Sequence, residues 1–277
     1  MSFAKGLDNM KYKIIFLDID GTLTDSRKLI TPKTKEALFR AAEKGLIIAV
    51  ASGRPEPGLA YASKELELKE RGGYLLPFNG GLIRRASDGK LICSDTISLE
   101  ALSTAYSTAK EFGIGIITYK GGEIIAADRL DSYIELESRI NSMPVRVTDD
   151  FLGEIDYEPV KCLLTGEPEI AERAEKSLAQ QLSGKANVFR SEPFFVEVVP
   201  NGIDKAVSIE KLIGELGISR EEVIACGDGF NDVSMIKFAG LGVCMSNGCE
   251  AAKNAADVIA PSNDEDGIAW VIENYVL

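Results

Sequence analysis

Two short apolar runs, Ile14-Ile15-Phe16-Leu17 and Val223-Ile224-Ala225-Cys226, each end in an acidic cluster. The first is followed by Asp18-Ile19-Asp20-Gly21-Thr22, the second by Gly227-Asp228-Gly229-Phe230-Asn231-Asp232. Runs this short and apolar without alternation suit strands buried on both faces of a parallel sheet. In an open α/β sheet, ligands sit beyond the carboxyl ends of the strands. The pattern therefore brings carboxylates from distant parts of the chain to one site. The sequence has no histidine, which excludes Ser-His-Asp triads, His-ligated zinc and imidazole bases. Carboxylates, hydroxyls, amines and a hard cation remain to do the chemistry.

The flanking rhythm predicts a doubly wound α/β fold. Residues 12–18, 46–51 and 74–78 read as strands, with helices over 31–44 and 56–69 between them. Thr31-Pro32 and Gly45 supply the start and stop signals of the first helix. Toward the C-terminus, helices over 204–216, 230–238, 249–254 and 266–274 alternate with strands over 222–226, 241–245 and 257–260. Residues 84–199 follow a different pattern: hairpin-like strand pairs, such as 115–119 with 123–127, separated by helices over 98–112, 130–140 and 168–182. Further strands are predicted near 159–165, 187–190 and 194–199. The reading is a core over 1–83 and 200–277, with an α+β domain inserted over 84–199.

A chain of 277 residues can hold two such cores. A formal net charge of −12 argues against a nucleic-acid partner. No segment approaches the apolar length of a membrane span. The longest N-terminal apolar run is short and interrupted by Asp18, unlike a secretory leader. The five cysteines, Cys93, Cys162, Cys226, Cys244 and Cys249, are odd in number and include no Cys-x-x-Cys pair. That favours packed thiols in the cytoplasm over a disulfide framework.

Asp18, Ser52, Asn79 and Asp228 each stand at the end of a predicted strand, and residues two apart on a strand, such as Asp18 and Asp20, face the same side. The string Phe16-Leu17-Asp18-Ile19-Asp20-Gly21-Thr22-Leu23 resembles the first motif of the haloacid dehalogenase superfamily, phosphatase branch. Val50-Ala51-Ser52-Gly53-Arg54-Pro55 resembles the second motif, Lys205 the third, and Gly227-Asp228-Gly229-x-Asn231-Asp232 the fourth. An insert after the second motif is similar to the Cof-like group, type IIB, as are Asn79-Gly80-Gly81 and the tail with Asn247 and Asn263-x-Glu265-Asp266-Gly267. Asp204 and Ala206 depart from the small polar residue and the Gly that usually flank the third-motif lysine.

The resemblance implies a Rossmann-like core with a cap domain and a phosphatase that uses Mg²⁺. It makes Asp18 the nucleophile and Asp20 the acid and base, with Ser52 and Lys205 holding the phosphoryl oxygens. Asp18, the backbone carbonyl of Asp20 and Asp228 would bind the metal, Asp232 supporting them. Thr22, Gly53, Arg54, Asn79, Gly80 and Asn231 are expected against the substrate, a small phosphorylated metabolite such as a sugar phosphate or phosphorylated cofactor. The rivals are a phosphotransferase or phosphomutase, and a non-catalytic phosphometabolite-binding regulator. A monomer or homodimer is expected. Ser262-x-Asp264-x-Asp266-Gly267 approaches a calcium-loop spacing, but it begins with Ser and follows a strand-like run.

Overall fold

A computed structural model of the chain describes residues 10–277. The first nine residues of the expected core segment lie outside the described residues. In chain order the first part contains β1 (Ile14–Leu17), α1 (Pro32–Glu43), β2 (Ile47–Ala51), α2 (Ala60–Glu65), α3 (Leu68–Arg71), β3 (Tyr74–Leu76), β4 (Leu82–Arg85) and β5 (Leu91–Ser94). Next come α4 (Leu99–Phe112), β6 (Gly115–Lys120), β7 (Glu123–Ala127), α5 (Ser132–Asn141), β8 (Val145–Thr148), α6 (Phe151–Glu154), β9 (Cys162–Thr165), α7 (Pro168–Gln181), β10 (Ala186–Glu192) and β11 (Phe195–Pro200). The chain closes with α8 (Lys205–Leu216), β12 (Val223–Gly227), α9 (Val233–Phe238), β13 (Leu241–Met245), α10 (Glu250–Ala255), β14 (Val258–Ala260) and α11 (Gly267–Tyr275).

Contacts divide the chain into two units. One holds the residues up to Gly53 with Leu59–Cys93 and Asp204–Leu277; the other holds Arg54–Gly58 and Ser94–Ile203. The first carries an eight-stranded sheet in the order β14-β13-β12-β1-β2-β3-β4-β5. The six strands from β14 to β3 are parallel, and β4 runs antiparallel to β3. The chain winds away from β1 in both directions, which makes the doubly wound sheet expected from the alternation of strands and helices. Residues 84–93, assigned to the insert from the sequence, extend this sheet instead.

Alternation along β1 sorts its side chains between two cores. Ile15 and Leu17 pack with Leu38 and Ala41 of α1 and Ile268 and Ile272 of α11. Ile14 and Phe16 pack with Ile209, Leu212 and Ile213 of α8. Asp18 follows Phe16 in this alternation and so emerges on the α8 side. Helix α1 starts as predicted, with the Thr31 side chain accepting from Thr34 N and Pro32 in the first turn.

The second unit has a six-stranded sheet in the order β10-β11-β9-β6-β7-β8. Helices α4 and α7 cover one face through Ala105, Ala109, Ala174 and Leu178; α5 covers the other through Ile134, packed with Ile117, Leu163 and Phe195. The helix predicted over 56–69 is broken instead. Glu56–Leu59 is a 3-10 turn around Pro57 and Gly58, and Glu67 between α2 and α3 has φ +51°. Likewise Phe230–Asp232 is a 3-10 turn ahead of α9. Sequence reading missed β8, an edge strand with exposed Arg146 and Val147, and α6, only four residues long. Among the described residues no helix is long and apolar enough to cross a membrane.

Candidate active site

The parallel register sets Leu17 opposite Cys226 and Val50, so Asp18, Asp228 and Ser52 all emerge where β1, β12 and β2 end. Lys205, the first residue of α8, is fully buried on the side to which Asp18 points. Its ammonium lies 2.6 Å from Asp18 Oδ1 and 2.6 Å from Asp232 Oδ1. The second Asp232 oxygen accepts from the backbone N–H groups of Asp228 at 2.9 Å and Gly229 at 2.8 Å. Asp232 thus ties the turn after β12 to the start of α8. Asp204, the departure from the usual motif, caps α8 by accepting from Val207 N at 2.9 Å, a role within reach of any short polar side chain.

One oxygen from each of Asp18, Asp228 and Asp232 lies within 4.8 Å of the other two. Thr22 donates to Asp228 Oδ1 at 2.8 Å. Gly21 sits at φ +81°, and a Cβ there would meet Asp228 Oδ2 at 2.4 Å, so only glycine lets the turn after Asp20 pass this close. Burial raises the Asp18 carboxyl to about 7, with Asp232 and Asp228 adding to the rise and Lys205 opposing it. Burial also raises Asp228, against the hydrogen bond from Thr22. Burial alone would drive the Lys205 ammonium to give up its proton, but the two carboxylates outweigh that and hold its pKa above the ordinary lysine value.

The donor set suits a hard divalent cation. All three candidate ligands are carboxylates, one ammonium faces them, and the excess negative charge is what such an ion neutralises. Asp20 stands apart from this triad: its carboxylate is paired at 2.8 Å with Lys28, on the solvent side.

A second cluster joins Gly53, Asn79, Gly80 and Asn231. Asn231 Nδ2 donates to Asn79 Oδ1 at 3.0 Å, and a Cβ on Gly53 would touch that same amide at 3.3 Å. Gly80, at φ +88°, packs on Ser208, whose hydroxyl donates to Gly80 O at 2.9 Å. Arg54 opens the five-residue stretch that groups with the second unit.

Two contributors, Ser208 and Lys28, escaped the sequence reading. Ser208 lies one helical turn beyond Lys205, a spacing that could have been noticed. Lys28 reaches Asp20 from a loop position at φ +63° that no pattern marks. Asn247 donates to Gly21 O at 2.8 Å and accepts from Asn263 N, while Asn263 donates to Thr24 O. The near-calcium segment serves the same loop: Asp264 accepts from Ser26 N and Asp266 from the Thr31 hydroxyl. All five cysteines are unpaired thiols.

The sequence matches the family model for haloacid dehalogenase-like hydrolases over residues 15–272. A solved haloacid dehalogenase-like hydrolase from Bacteroides thetaiotaomicron is 46% identical with a TM-score of 0.91, over 95% of this chain and 99% of its own. A sugar phosphatase of HAD subclass IIB is 26% identical with a TM-score of 0.79, over 95% and 98%. A Bacillus subtilis 5-amino-6-(5-phospho-D-ribitylamino)uracil phosphatase is 27% identical over 268 residues, 95% of this chain and 97% of the relative.

Proposed function

This chain belongs to the haloacid dehalogenase-like hydrolase family, and we propose that it is a cytoplasmic, Mg²⁺-dependent phosphatase of small phosphorylated metabolites, working through an aspartyl-phosphate on Asp18. The observation that carries the reading is the buried Lys205 ammonium at 2.6 Å from Asp18 beside a carboxylate triad. Neutral small-molecule binding gives no reason to bury that much charge. The relatives named as phosphatases of a sugar and of a ribityl-bearing uracil support the substrate class.

In this mechanism an Asp18 oxygen attacks phosphorus, and the bond from phosphorus to the leaving oxygen breaks as Asp20 gives that oxygen a proton. Water then attacks the acyl-phosphate, Asp20 takes its proton, and inorganic phosphate departs with Asp18 restored. Lys205 favours the ionised form of Asp18 against its burial and orients it. With the Ser52 hydroxyl it also stabilises charge on the phosphoryl oxygens as they pass through the transition state. Asp18, the Asp20 carbonyl and Asp228 would hold Mg²⁺, with Asp232 fixing the turn that carries Asp228. The ion, when bound, offsets the repulsion between a carboxylate nucleophile and an anionic ester. Thr22, Gly53, Asn79, Gly80 and Asn231 line the phosphate side. Arg54 and the inserted domain are assigned to substrate choice, a division that rests on the resemblance.

The test is phosphate release from a panel of phosphorylated metabolites with Mg²⁺, with EDTA, and with Asp18→Asn. Release that needs both the metal and Asp18 supports the reading. Phosphate exchange between sugars with little net release points to a phosphotransferase, and no turnover from folded, metal-loaded protein sinks the enzymatic reading.

A further inference from the structure

Phe230 is 79% exposed, whereas the next most exposed large apolar side chain among the described residues, Leu130, reaches 48%. A single exposed leucine needs no explanation, but an entire phenyl ring in water two residues from Asp228 does. The ring cannot easily withdraw. On one side Asp232 Oδ2 binds the N–H groups of Asp228 and Gly229, and Asp232 N donates to Gly229 O at 3.2 Å. On the other, Asn231 is tied to Asn79. The turn Phe230–Asp232 is thus pinned at both ends with its aromatic residue outward. A fixed aromatic ring among polar groups can serve as one wall of a small-molecule subsite.

Resting on the phosphatase reading, we propose that Phe230 is a specificity-determining residue that packs against a planar ring in the leaving group. The favoured substrates are then phosphomonoesters of ring-bearing alcohols. The phosphate has to lie at Asp18 for attack, carboxylate oxygens of Asp18 and Asp228 lie within 4.8 Å of one another, and the two residues from Asp228 to Phe230 span no more than about 7 Å, so the part of the ester nearest the phosphorus falls within reach of the Phe230 ring. An aromatic face gains most from offset or edge contact with another ring. An acyclic polyol offers only hydroxyls, which gain nothing by leaving water for a phenyl face.

Pyridoxal phosphate and glycerol phosphate separate the cases, because both are primary alkyl esters and differ chiefly in the ring. With Mg²⁺, the kcat/KM ratio of pyridoxal phosphate to glycerol phosphate is expected to fall about tenfold in Phe230→Ala, mainly through KM, and to survive in Phe230→Trp. The melting temperature should hold in both variants, since the side chain packs against little. An equal effect on both esters, or none, overturns the assignment and points to a contact with protein instead. Failure of the wild type to release phosphate from any ester takes down the phosphatase reading first, and this inference with it.

Discussion

Lys205 lies 2.6 Å from Asp18 Oδ1 with no exposure to solvent, and the same nitrogen serves Asp232 at 2.6 Å. A buried ion pair is a weak source of net stability, because desolvating the charges offsets most of their attraction. Its value here is in opposing the rise that burial imposes on the Asp18 carboxyl and in aiming it. Removing only the cation leaves two carboxylates facing each other.

Lys205→Met should therefore reduce kcat/KM by about 10²–10³. It should also lower metal-free stability by about 3–5 kcal/mol in urea unfolding. Adding Asp232→Asn should return part of that stability without returning activity, since the two residues share one network. If the single variant keeps its stability and its rate, Lys205 does not have the part given to it.

The pH dependence follows from Asp18, whose carboxyl is raised to about 7 by burial first and by its acidic neighbours second. The folded state then holds the Asp18 proton more tightly than the unfolded chain does. The resulting stability is fully present below about 4, the unfolded value, and is lost as pH rises through about 7. In EDTA the gap in melting temperature between Asp18→Asn and wild type should widen in favour of the variant over that window. Because the proton competes with the cation for Asp18, Mg²⁺ affinity should also weaken as pH drops below about 7. A constant gap across the window contradicts the assignment of the raised group.

The placement of Asp18 and Asp228 was legible because an apolar run that stops at a carboxylate fixes both the strand and its end. The face on which Asp18 emerges took the packing of Ile14 and Phe16 against α8 to settle. What was not legible depends on long-range packing. No local pattern shows that Lys205 is buried rather than solvated, and its helical start reads like that of any exposed lysine. The 206-residue separation between Thr22 and Asp228 closes only through the register of β1 on β12. Residues 84–93 were assigned to the insert because Arg84 and Arg85 disguise the second half of a strand with one buried face. The break in the helix over 56–69 was signalled by Pro57 and Gly58, whose effect tertiary contacts decide.

Gly21 gives a steric prediction. Its φ of +81° and the 2.4 Å approach of Asp228 Oδ2 leave no room for a methyl group. Gly21→Ala should displace Asp228 or open the turn after Asp20, at a backbone cost of about 1–3 kcal/mol. Loss of Mg²⁺-induced stabilisation in a thermal-shift titration is the expected readout, with the substrate left out. A variant with wild-type metal response would mean that the turn can relax without moving Asp228.

The two acidic positions outside the Lys205 pair can be told apart by the same titration. Asp228 belongs to the triad, whereas the Asp20 carboxylate is turned to Lys28 and lies outside it. Mg²⁺ at 100 times its dissociation constant stabilises the folded state by about 2.7 kcal/mol if it binds only there. Asp228→Asn should abolish most of that gain and the turnover together. Asp20→Asn should keep the gain, since its backbone carbonyl is intact, yet lose about 10²–10⁴ in kcat because proton transfer to the leaving oxygen is gone. The pair at Lys28 is exposed, so Lys28→Ala should change kcat only a few-fold, in line with the modest worth of surface ion pairs. Loss of the metal response in Asp20→Asn would move that carboxylate from proton transfer into the cation site.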